Sequence, residues 1–395
     1  MHKLLSLALV VTIVSLLLSA RISSATPIYI GLDADMSSSA SLSGISIQRG
    51  ALIAIDEINK SGGVLGRPLE LLTKDHRGNP ARGKDNIEDL AERSDLVAII
   101  GGLHTPVAMA ELETIHNEEV IYLGAWAAGT PVVKNNFDPN FVFRVSVRDE
   151  FASEFLLNQA KMNGYVSPCL LLENTGWGRS NKKGFDQAAQ KLSMKIEDTQ
   201  WFNWGVKDLS SELIRFNNSR CDVVMMVANA KEGGVAVNSM LNLPTDNRLP
   251  IISHWGITGG DFPSIVGRDF AELNLSFLQT YSFFKPSSEK MAIKFLDGYF
   301  QKFATSKQLK DIVAPVGSAH AYDLVHLLTH AIRRAGVTDR LVVREALENM
   351  ERYEGLVRTY DPAFTKQRHD ALDISDFSLA RFNAAGVIIP VEGAK

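Results

Sequence analysis

Residues 44–67, GISIQRGALIAIDEINKSGGVLGR, combine an amphipathic segment with a turn that contains three glycines. Apolar side chains recur at helical spacing over residues 45–59, and the glycines that follow favour a chain reversal. Apolar stretches at 27–32 and 69–73 flank this helix and are typical of β-strands. The strand–helix–strand order predicts a parallel sheet whose strands are joined by helices.

The same alternation continues to residue 253. Further predicted helices span residues 79–93, 106–117, 150–162, 178–192, 208–216 and 231–241. Further predicted strands span residues 96–100, 120–123, 169–172, 195–202, 222–227 and 250–253. Three C-terminal helices and a β-like tail complete the pattern, at 288–304, 318–335, 341–352 and 377–391. The sequence therefore predicts an α/β protein with two doubly wound parallel-sheet units and a ligand cleft between them, at the carboxyl ends of the strands.

Composition limits the class of protein. The 395 residues are enough for two domains, and the scattered basic residues favour no nucleic-acid-binding surface. Residues 1–25 have a short basic start, an apolar stretch at 4–18 and small residues before Thr26, which is typical of a secretory signal peptide. Cleavage after Ala20 and retention as an anchor are the alternatives. Without residues 1–25, which contain two of the 41 basic residues and no acidic one, 39 basic residues face 45 acidic ones in an exported chain.

Catalytic and metal motifs are weak. No GxGxxG, P-loop, GxSxG or HExxH motif occurs in a suitable context, so we expect neither an enzyme nor a cofactor. His326 and His330 are four residues apart on a predicted helix that also carries His320, but without a clear third ligand we predict no metal site. Cys169 and Cys221 each open a predicted strand of the second unit, which agrees with either a disulfide or two buried thiols.

Loops rich in glycine, alanine and tryptophan follow the predicted strands. The loop GGLHTP leads into a helix whose N-terminal N–H groups suit a carboxylate or another anion. Trp126, Trp177 and Trp255 each lie beside glycine or alanine just beyond a strand, which indicates an aromatic cleft, with ordinary packing as the alternative for any one of them. The other two tryptophans, Trp201 and Trp204, fall on a strand and the following turn, away from the predicted cleft.

Five segments together match the pattern of one known family: residues 44–67, Asp75 with Asn79-Pro80, IIGGLHT at 99–105, Trp177-Gly178, and Ala321-Tyr322-Asp323. Through them the mature chain resembles, nearly end to end, type I periplasmic solute-binding proteins of the leucine/isoleucine/valine-binding class. The resemblance implies two Rossmann-like doubly wound lobes that are joined by a multi-strand hinge and close over a small ligand. By this resemblance residues 26–145 plus 281–357 form lobe 1, and residues 146–280 plus 358–395 form lobe 2.

The resemblance also implies six ligand-binding residues: Thr105, Trp126, Ala128, Trp177, Asn229 and Trp255. Thr105 stands where a hydroxyl and its own N–H bind the ligand's carboxylate, and Trp126 and Ala128 lie in the next contact loop. Trp177 stands where an aromatic side chain of lobe 2 covers the ligand. Asn229 falls in a contact loop where amino-acid binders usually have a tyrosine.

Trp255 departs from the family pattern, because amino-acid binders place an acid there to pair with the ligand's α-ammonium group. Burying an ammonium group without a partner is costly. We therefore expect leucine, isoleucine and valine to bind weakly, unless the charge comes from one of four other acids: Asp33, Asp35, Glu173 or Glu232.

These inferences predict a monomeric solute-binding protein that is periplasmic or otherwise extracytoplasmic. It would deliver a small carboxylate or amphiphilic, amino-acid-like solute with an apolar or aromatic body to the membrane permease of an ABC importer. A cation held by tryptophan faces is the second candidate ligand. A sensor subunit for a membrane signalling protein and an exported α/β enzyme are the alternative functions; the enzyme would need a nucleophile–base pair in the cleft.

Overall fold

A computed structural model describes residues 26–267 and 272–391, so the predicted signal peptide at 1–25 lies outside the described residues. The first sheet has five parallel strands: β1 (Ile28–Ala34), β2 (Leu69–Asp75), β3 (Leu96–Gly101), β4 (Ile121–Gly124) and β5 (Val142–Arg144). Their order in the sheet is β2-β1-β3-β4-β5. Every residue of β3 is buried, as expected for a central strand that is covered by helices on both faces.

The second sheet begins with five parallel strands: β6 (Pro168–Glu173), β7 (Thr199–Phe202), β8 (Val223–Val227), β9 (Ile251–Ser253) and β10 (Leu275–Gln279). After a separate hairpin of β11 (Tyr353–Glu354) and β12 (Thr359–Tyr360), the chain returns to this sheet as antiparallel strands β13 (Ser378–Phe382) and β14 (Ile388–Pro390). The order is β14-β13-β10-β9-β8-β6-β7. The prediction of an α/β fold with two doubly wound, mainly parallel sheets is confirmed.

Helices connect the strands throughout. They are α1 (Ser41–Lys60), α2 (Pro80–Ala91), α3 (Thr105–Asn117), α4 (Thr130–Val133), α5 (Asp149–Met162), α6 (Gly176–Leu192), α7 (Ser210–Asn218), α8 (Ala230–Leu241), α9 (Phe262–Val266), α10 (Glu289–Lys302), α11 (Pro315–Ala335) and α12 (Arg340–Glu348). The start of α2 follows from its sequence, since the Asn79 side chain accepts hydrogen bonds from the N–H groups of Ala81 and Arg82. None of the helices among the described residues is long and apolar enough to span a bilayer.

Three crossings relate the second sheet to the rest of the chain: the chain enters it from the first sheet after β5, leaves it after β10 for helices α10–α12 and the β11–β12 hairpin, and re-enters it between β12 and β13. The first and third of these crossings lie side by side, because Arg144 forms a parallel β-bridge with Asp370. The Arg144 side chain also pairs with the Asp370 carboxylate at 2.6 Å, and both residues are buried. Arg148 contacts the same carboxylate, so one acid ties together the segments that connect the sheets.

Two predicted segments differ from the structure for local reasons. The strand expected over 195–202 pairs only over Thr199–Phe202, because the Asp198 side chain accepts a hydrogen bond from the Thr199 N–H. The tail expected over 377–391 is broken into β13 and β14, since the Asn383 side chain accepts hydrogen bonds from two backbone N–H groups of the intervening turn. In both segments, a side chain that accepts hydrogen bonds from nearby backbone N–H groups sets where the regular strand begins or ends.

A disulfide joins Cys169 to Cys221, whose Cα atoms lie 5.8 Å apart. The two cysteines meet because β6 and β8 are adjacent and Cys169 pairs in register with Val224. The disulfide alternative is therefore confirmed, and the alternative of two buried thiols is wrong.

Candidate functional site

One small cavity lies between the ends of the two sheets. Its free volume is about 10 Å³, room for about one water molecule, and its lining includes all six residues proposed to bind a ligand: Thr105, Trp126, Ala128, Trp177, Asn229 and Trp255. The first three follow β3 and β4 of the first sheet, and the last three follow β6, β8 and β9 of the second. Parallel strands present their carboxyl ends at one edge, which is why residues 150 positions apart meet here. Contact with a ligand remains a prediction for each of them.

The three tryptophans of the cavity are packed rather than exposed to an open cleft. Trp126 and Trp255 are each 1% exposed, and Trp177 is 5% exposed. The Trp126 and Trp255 rings lie with their centroids 5.5 Å apart, although they belong to loops of different sheets. The indole faces are therefore not exposed to an open cleft in this conformation, because the loops of the two sheets meet and exclude water from them.

Close backbone packing shapes the cavity wall. Gly256 follows Trp255, and a Cβ atom at this glycine would lie 2.6 Å from the Trp177 ring and 2.5 Å from the Ala228 carbonyl oxygen. Only glycine therefore allows the loop after β9 to approach the Trp177 ring this closely. The Trp177 indole is held from its other side, where Nε1–H donates to Asp149 Oδ1 at 3.1 Å.

Thr105 begins helix α3 at the edge of the cavity. Its hydroxyl oxygen accepts a hydrogen bond from the Gly129 N–H at 3.1 Å, which leaves the hydroxyl hydrogen free to donate. The Trp126 Nε1–H, on the same side of the cavity, is buried without a hydrogen-bond partner. A hydroxyl, an indole N–H and a helix N-terminus suit an acceptor group of a ligand, such as a carboxylate.

Glu173 supplies the acidic group of the cavity. It is the last residue of β6 and fully buried, and its carboxylate accepts hydrogen bonds from Thr175 Oγ1 at 2.6 Å, Trp204 Nε1 at 3.1 Å and Asn229 Nδ2 at 3.2 Å. Burial raises the pKa of Glu173 to about 7, and these hydrogen bonds oppose the rise. The sequence indicates Glu173 only as a substitute acid, although its place at a strand end shortly before Trp177 is a signal for a cavity residue.

Glu173 is also the one acid of the four candidate substitutes that lines the cavity. Asp33 packs against helix α2 and accepts a hydrogen bond from it, and Asp35 accepts hydrogen bonds from the turn at residues 38–40. Glu232 accepts a hydrogen bond from a backbone N–H of the loop after β7. Three of the four acids therefore serve local structure outside the cavity.

Trp204 lies closer to the site than the sequence predicts. Its ring is 5.5 Å from that of His104, a cavity-lining residue of the first sheet, and its Nε1–H donates to Glu173. The expectation that Trp204 lies away from the cleft is wrong, because the turn after β7 folds back over the end of β6. Trp201 lies on strand β7 and is 38% exposed, outside the cavity lining.

The histidines of helix α11 are engaged in hydrogen bonds and packing. His320 lies between Thr280 Oγ1 and the Ala125 carbonyl oxygen, each 2.8 Å from a ring nitrogen, and burial lowers its pKa to about 4. His326 Nε2 lies 3.5 Å from Glu57 Oε2. Within residues 26–267 and 272–391, no three His, Cys, Asp or Glu side chains are grouped as metal ligands would be.

Comparison with known proteins agrees with this architecture. The family of periplasmic binding proteins matches over residues 27–386. The Leu/Ile/Val-binding protein BraC3 of Rhizobium johnstonii is 24% identical over 324 residues, which cover 82% of this chain and 83% of BraC3.

Two solved structures show how closely the fold is shared. A type 1 periplasmic binding protein of Bordetella pertussis superposes with a TM-score of 0.82 at 20% identity, covering 92% of this chain and all of that one. A solute-binding protein of an ABC transporter from R. palustris, solved with 4-hydroxybenzoate, has a TM-score of 0.78 at 18% identity over 93% and 96% of the two chains. The chain belongs to the periplasmic binding protein family, in its type I, leucine/isoleucine/valine-binding class.

Proposed function

We propose that this protein is an extracytoplasmic solute-binding protein that encloses one compact organic molecule between its two lobes and delivers it to the permease of an ABC importer. The observation that carries the proposal is the small cavity to whose lining loops of both sheets contribute side chains. A ligand that touches both loop sets would stabilise their closure, and the closed form is what a membrane partner would recognise. The lobes would be residues 26–145 plus 281–357 and residues 146–280 plus 358–395.

The lining of the cavity supports a ligand with an apolar or aromatic body. The free volume of about 10 Å³ holds about one water molecule, so the loops would have to move apart before a solute could enter. Three indole rings supply apolar faces, and Thr105 with the Trp126 N–H supplies donors for an acceptor group. The names of similar proteins mention leucine, isoleucine and valine and 4-hydroxybenzoate, which are all small carboxylates with an apolar or aromatic body.

The function is best tested with a thermal-shift screen of the mature chain against amino acids, aromatic carboxylates and quaternary amines. A ligand at 100 times its Kd should stabilise the folded chain by about 2.7 kcal/mol, which is readily seen as a rise in Tm. Absence of a shift with all three classes would contradict the proposal. Cells that lack the protein should then lose uptake of a labelled hit, whereas a sensor subunit would leave uptake unchanged.

A further inference from the structure

Asp149 lies behind the cavity wall, where the chain has just crossed from the first sheet to the second. It is the first residue of α5, is fully buried, and does not itself line the cavity. Its backbone N–H donates to the Ala128 carbonyl oxygen at 3.0 Å. Ala128 belongs to the loop after β4, which also carries Trp126. Asp149 is therefore fixed to the part of the wall that the first sheet contributes.

The Asp149 carboxylate faces the part of the wall that the second sheet contributes. Trp177 Nε1–H donates to its Oδ1 at 3.1 Å, and His254 Nε2 lies 3.3 Å from the same oxygen. His254 Nδ1 accepts a hydrogen bond from the Trp255 N–H at 2.9 Å, so the neutral imidazole carries its hydrogen on Nε2, on the side of Asp149. One oxygen thus contacts Trp177 directly and reaches the loop of Trp255 through His254.

These contacts are the main ones that the carboxylate makes. Among the described residues, the adjacent Arg148 directs its guanidinium to Glu150 and Asp370 instead, and Asp149 Oδ2 is buried without a hydrogen-bond partner. The rings of Trp177 and His254 also pack against each other, with centroids 5.0 Å apart and planes at 82°. The side chain of Asp149 therefore serves the loops of the cavity wall rather than an ion pair with its neighbour.

We propose that Asp149 is a positioning residue for solute binding. It sets the orientation of the Trp177 ring and of the loop that carries Trp255, and its backbone N–H keeps both at a fixed position relative to the loop that carries Trp126. This inference rests on the proposed function. Asp149 acts through the tryptophans and contacts no solute itself.

The physical reason is that an indole ring can turn about its side-chain torsions. A ring that is already held in its binding orientation loses less freedom when a solute binds, and the affinity is correspondingly higher. Without Asp149 Oδ1, the buried Trp177 N–H would lose its acceptor, which is costly. The ring would then turn towards another acceptor and away from its place in the wall.

Calorimetry with leucine, phenylalanine and 4-hydroxybenzoate as probes tests the effect on binding. We expect Asp149→Ala to weaken binding at least ~10-fold for each probe that the wild type binds. Asp149→Asn keeps an Oδ1 that can accept from Trp177, so its affinity should stay within ~3-fold of the wild type. The control Glu150→Ala removes a carboxylate one residue further along the same helix, where it pairs with Lys134, and should change affinity less than ~2-fold.

Indole N–H signals in ¹⁵N-correlated NMR spectra report the ring positions without any solute. The signals that disappear in Trp177→Phe and Trp255→Phe identify these two residues. Asp149→Ala should move both signals, whereas Glu150→Ala should leave both in place. A purely structural role for Asp149 would lower the free energy of unfolding without moving these two signals in the folded variant.

A double-mutant cycle shows whether Asp149 acts through Trp177. Trp177→Phe keeps an aromatic face but has no N–H to donate. In this background Asp149→Ala should weaken probe binding by less than ~3-fold, because the hydrogen bond that it removes is already absent. Equal effects of Asp149→Ala in the wild-type and Trp177→Phe backgrounds would overturn the proposal.

Outcomes for the inference and for the proposed function are distinct. Unchanged affinity or unmoved indole signals in Asp149→Ala would overturn the positioning role and leave solute binding intact. If the wild type binds none of the three probes, the indole signals alone decide the positioning role, and the broader thermal-shift screen decides the proposed function. If Asp149→Ala does not fold, Asp149→Glu, which displaces the carboxylate by one methylene group, should move both signals and weaken binding, and the wild-type pattern in that variant would overturn the proposal.

Discussion

The indole rings of Trp126 and Trp255 lie 5.5 Å apart and inclined at 49°, although one follows a strand of the first sheet and the other a strand of the second. This contact bridges the two lobes directly and forms part of the cavity wall. A ligand that enters the cavity therefore meets both rings, and its binding and lobe closure involve the same side chains.

Replacing Trp255 by alanine should weaken ligand binding by at least ~30-fold, because a central aromatic anchor typically contributes 2 kcal/mol or more. The buried ring also packs in this conformation, so Trp255→Ala should lower the free energy of unfolding as well. Trp255→Phe keeps an aromatic face and should retain more affinity. Calorimetry on folded variants measures these differences.

The matched control is Trp201→Ala, which removes a partly exposed tryptophan from β7 and should change affinity less than about two-fold. Trp204 is unsuitable as a control because it donates a hydrogen bond to Glu173. Equal affinities for Trp255→Ala and Trp201→Ala would mean that the cavity tryptophans only pack.

The grouping of the six candidate residues could be predicted, because each follows a strand and parallel strands end at one edge. The surroundings of Glu173 could not. Its hydrogen bonds come from the loops after β6, β7 and β8, and how those loops pack against one another depends on tertiary contacts that no local pattern encodes. The direct contact between Trp126 and Trp255 could not be predicted for the same reason, since it joins loops of different sheets.

The disulfide should stabilise the second lobe substantially. It closes a loop with a sequence separation of 52 residues, for which chain entropy predicts about 4 kcal/mol. We expect Cys169→Ala/Cys221→Ala to lower Tm by about 10 °C, as followed by circular dichroism. Reductant should produce a similar loss in the wild type and none in the variant. A variant that melts within ~2 °C of the wild type would contradict this expectation.

Helix and strand positions followed from periodicity, while their ends depended on side chains that cap or turn the chain. Asn79 was recognisable as a cap because proline follows it. The turn at Asn383 was not, because an asparagine inside an apolar tail carries no such neighbour. For Cys169 and Cys221, spacing left two alternatives open, since only the adjacency of β6 and β8 brings the sulfurs together.

Asp370 should be critical to the stability of the segments that connect the sheets. Its carboxylate neutralises the fully buried Arg144 and also contacts Arg148, and these two guanidinium groups hold the pKa of Asp370 below its ordinary value. Asp370→Asn leaves the Arg144 charge buried and unbalanced, so we expect the free energy of unfolding to fall by about 3–5 kcal/mol. Urea denaturation at pH 7 measures the loss.

Asp373→Asn provides the control for the loss of one negative charge in the same segment. Asp373 lies at the surface, 3.8 Å from the Arg358 guanidinium, and asparagine can still accept the hydrogen bonds of its turn. We expect Asp373→Asn to change the free energy of unfolding by no more than about 0.5 kcal/mol. Similar losses for Asp370→Asn and Asp373→Asn would show that the buried charge on Arg144 is compensated elsewhere.

A buried pair of acids in lobe 1 should make stability fall as the pH rises. Burial raises the pKa of Asp33 to about 7, although a hydrogen bond with Glu111 opposes the rise, and burial together with the charge on Asp33 raises the pKa of Glu111 well above its ordinary value. Both Glu111 oxygens and Asp33 Oδ2 are buried away from solvent. The folded chain therefore holds protons that the unfolded chain releases above about pH 4, so the free energy of unfolding decreases as the pH rises from about 4 through 7.

Glu111→Gln should remove much of this dependence, because the amide is neutral at every pH and can donate a hydrogen bond to Asp33. We expect the free energy of unfolding of the variant, relative to that of the wild type, to increase from pH 5 to pH 8. Within that range, each unit by which the folded-state pKa exceeds the unfolded-state pKa should contribute about 1.4 kcal/mol to this increase. Glu113→Gln, on the exposed face of the same helix, is the control. Its free energy of unfolding should differ from that of the wild type by the same amount at every pH. Urea titrations at several pH values measure both, and parallel curves for Glu111→Gln and the wild type would contradict a shared proton in the Asp33–Glu111 pair.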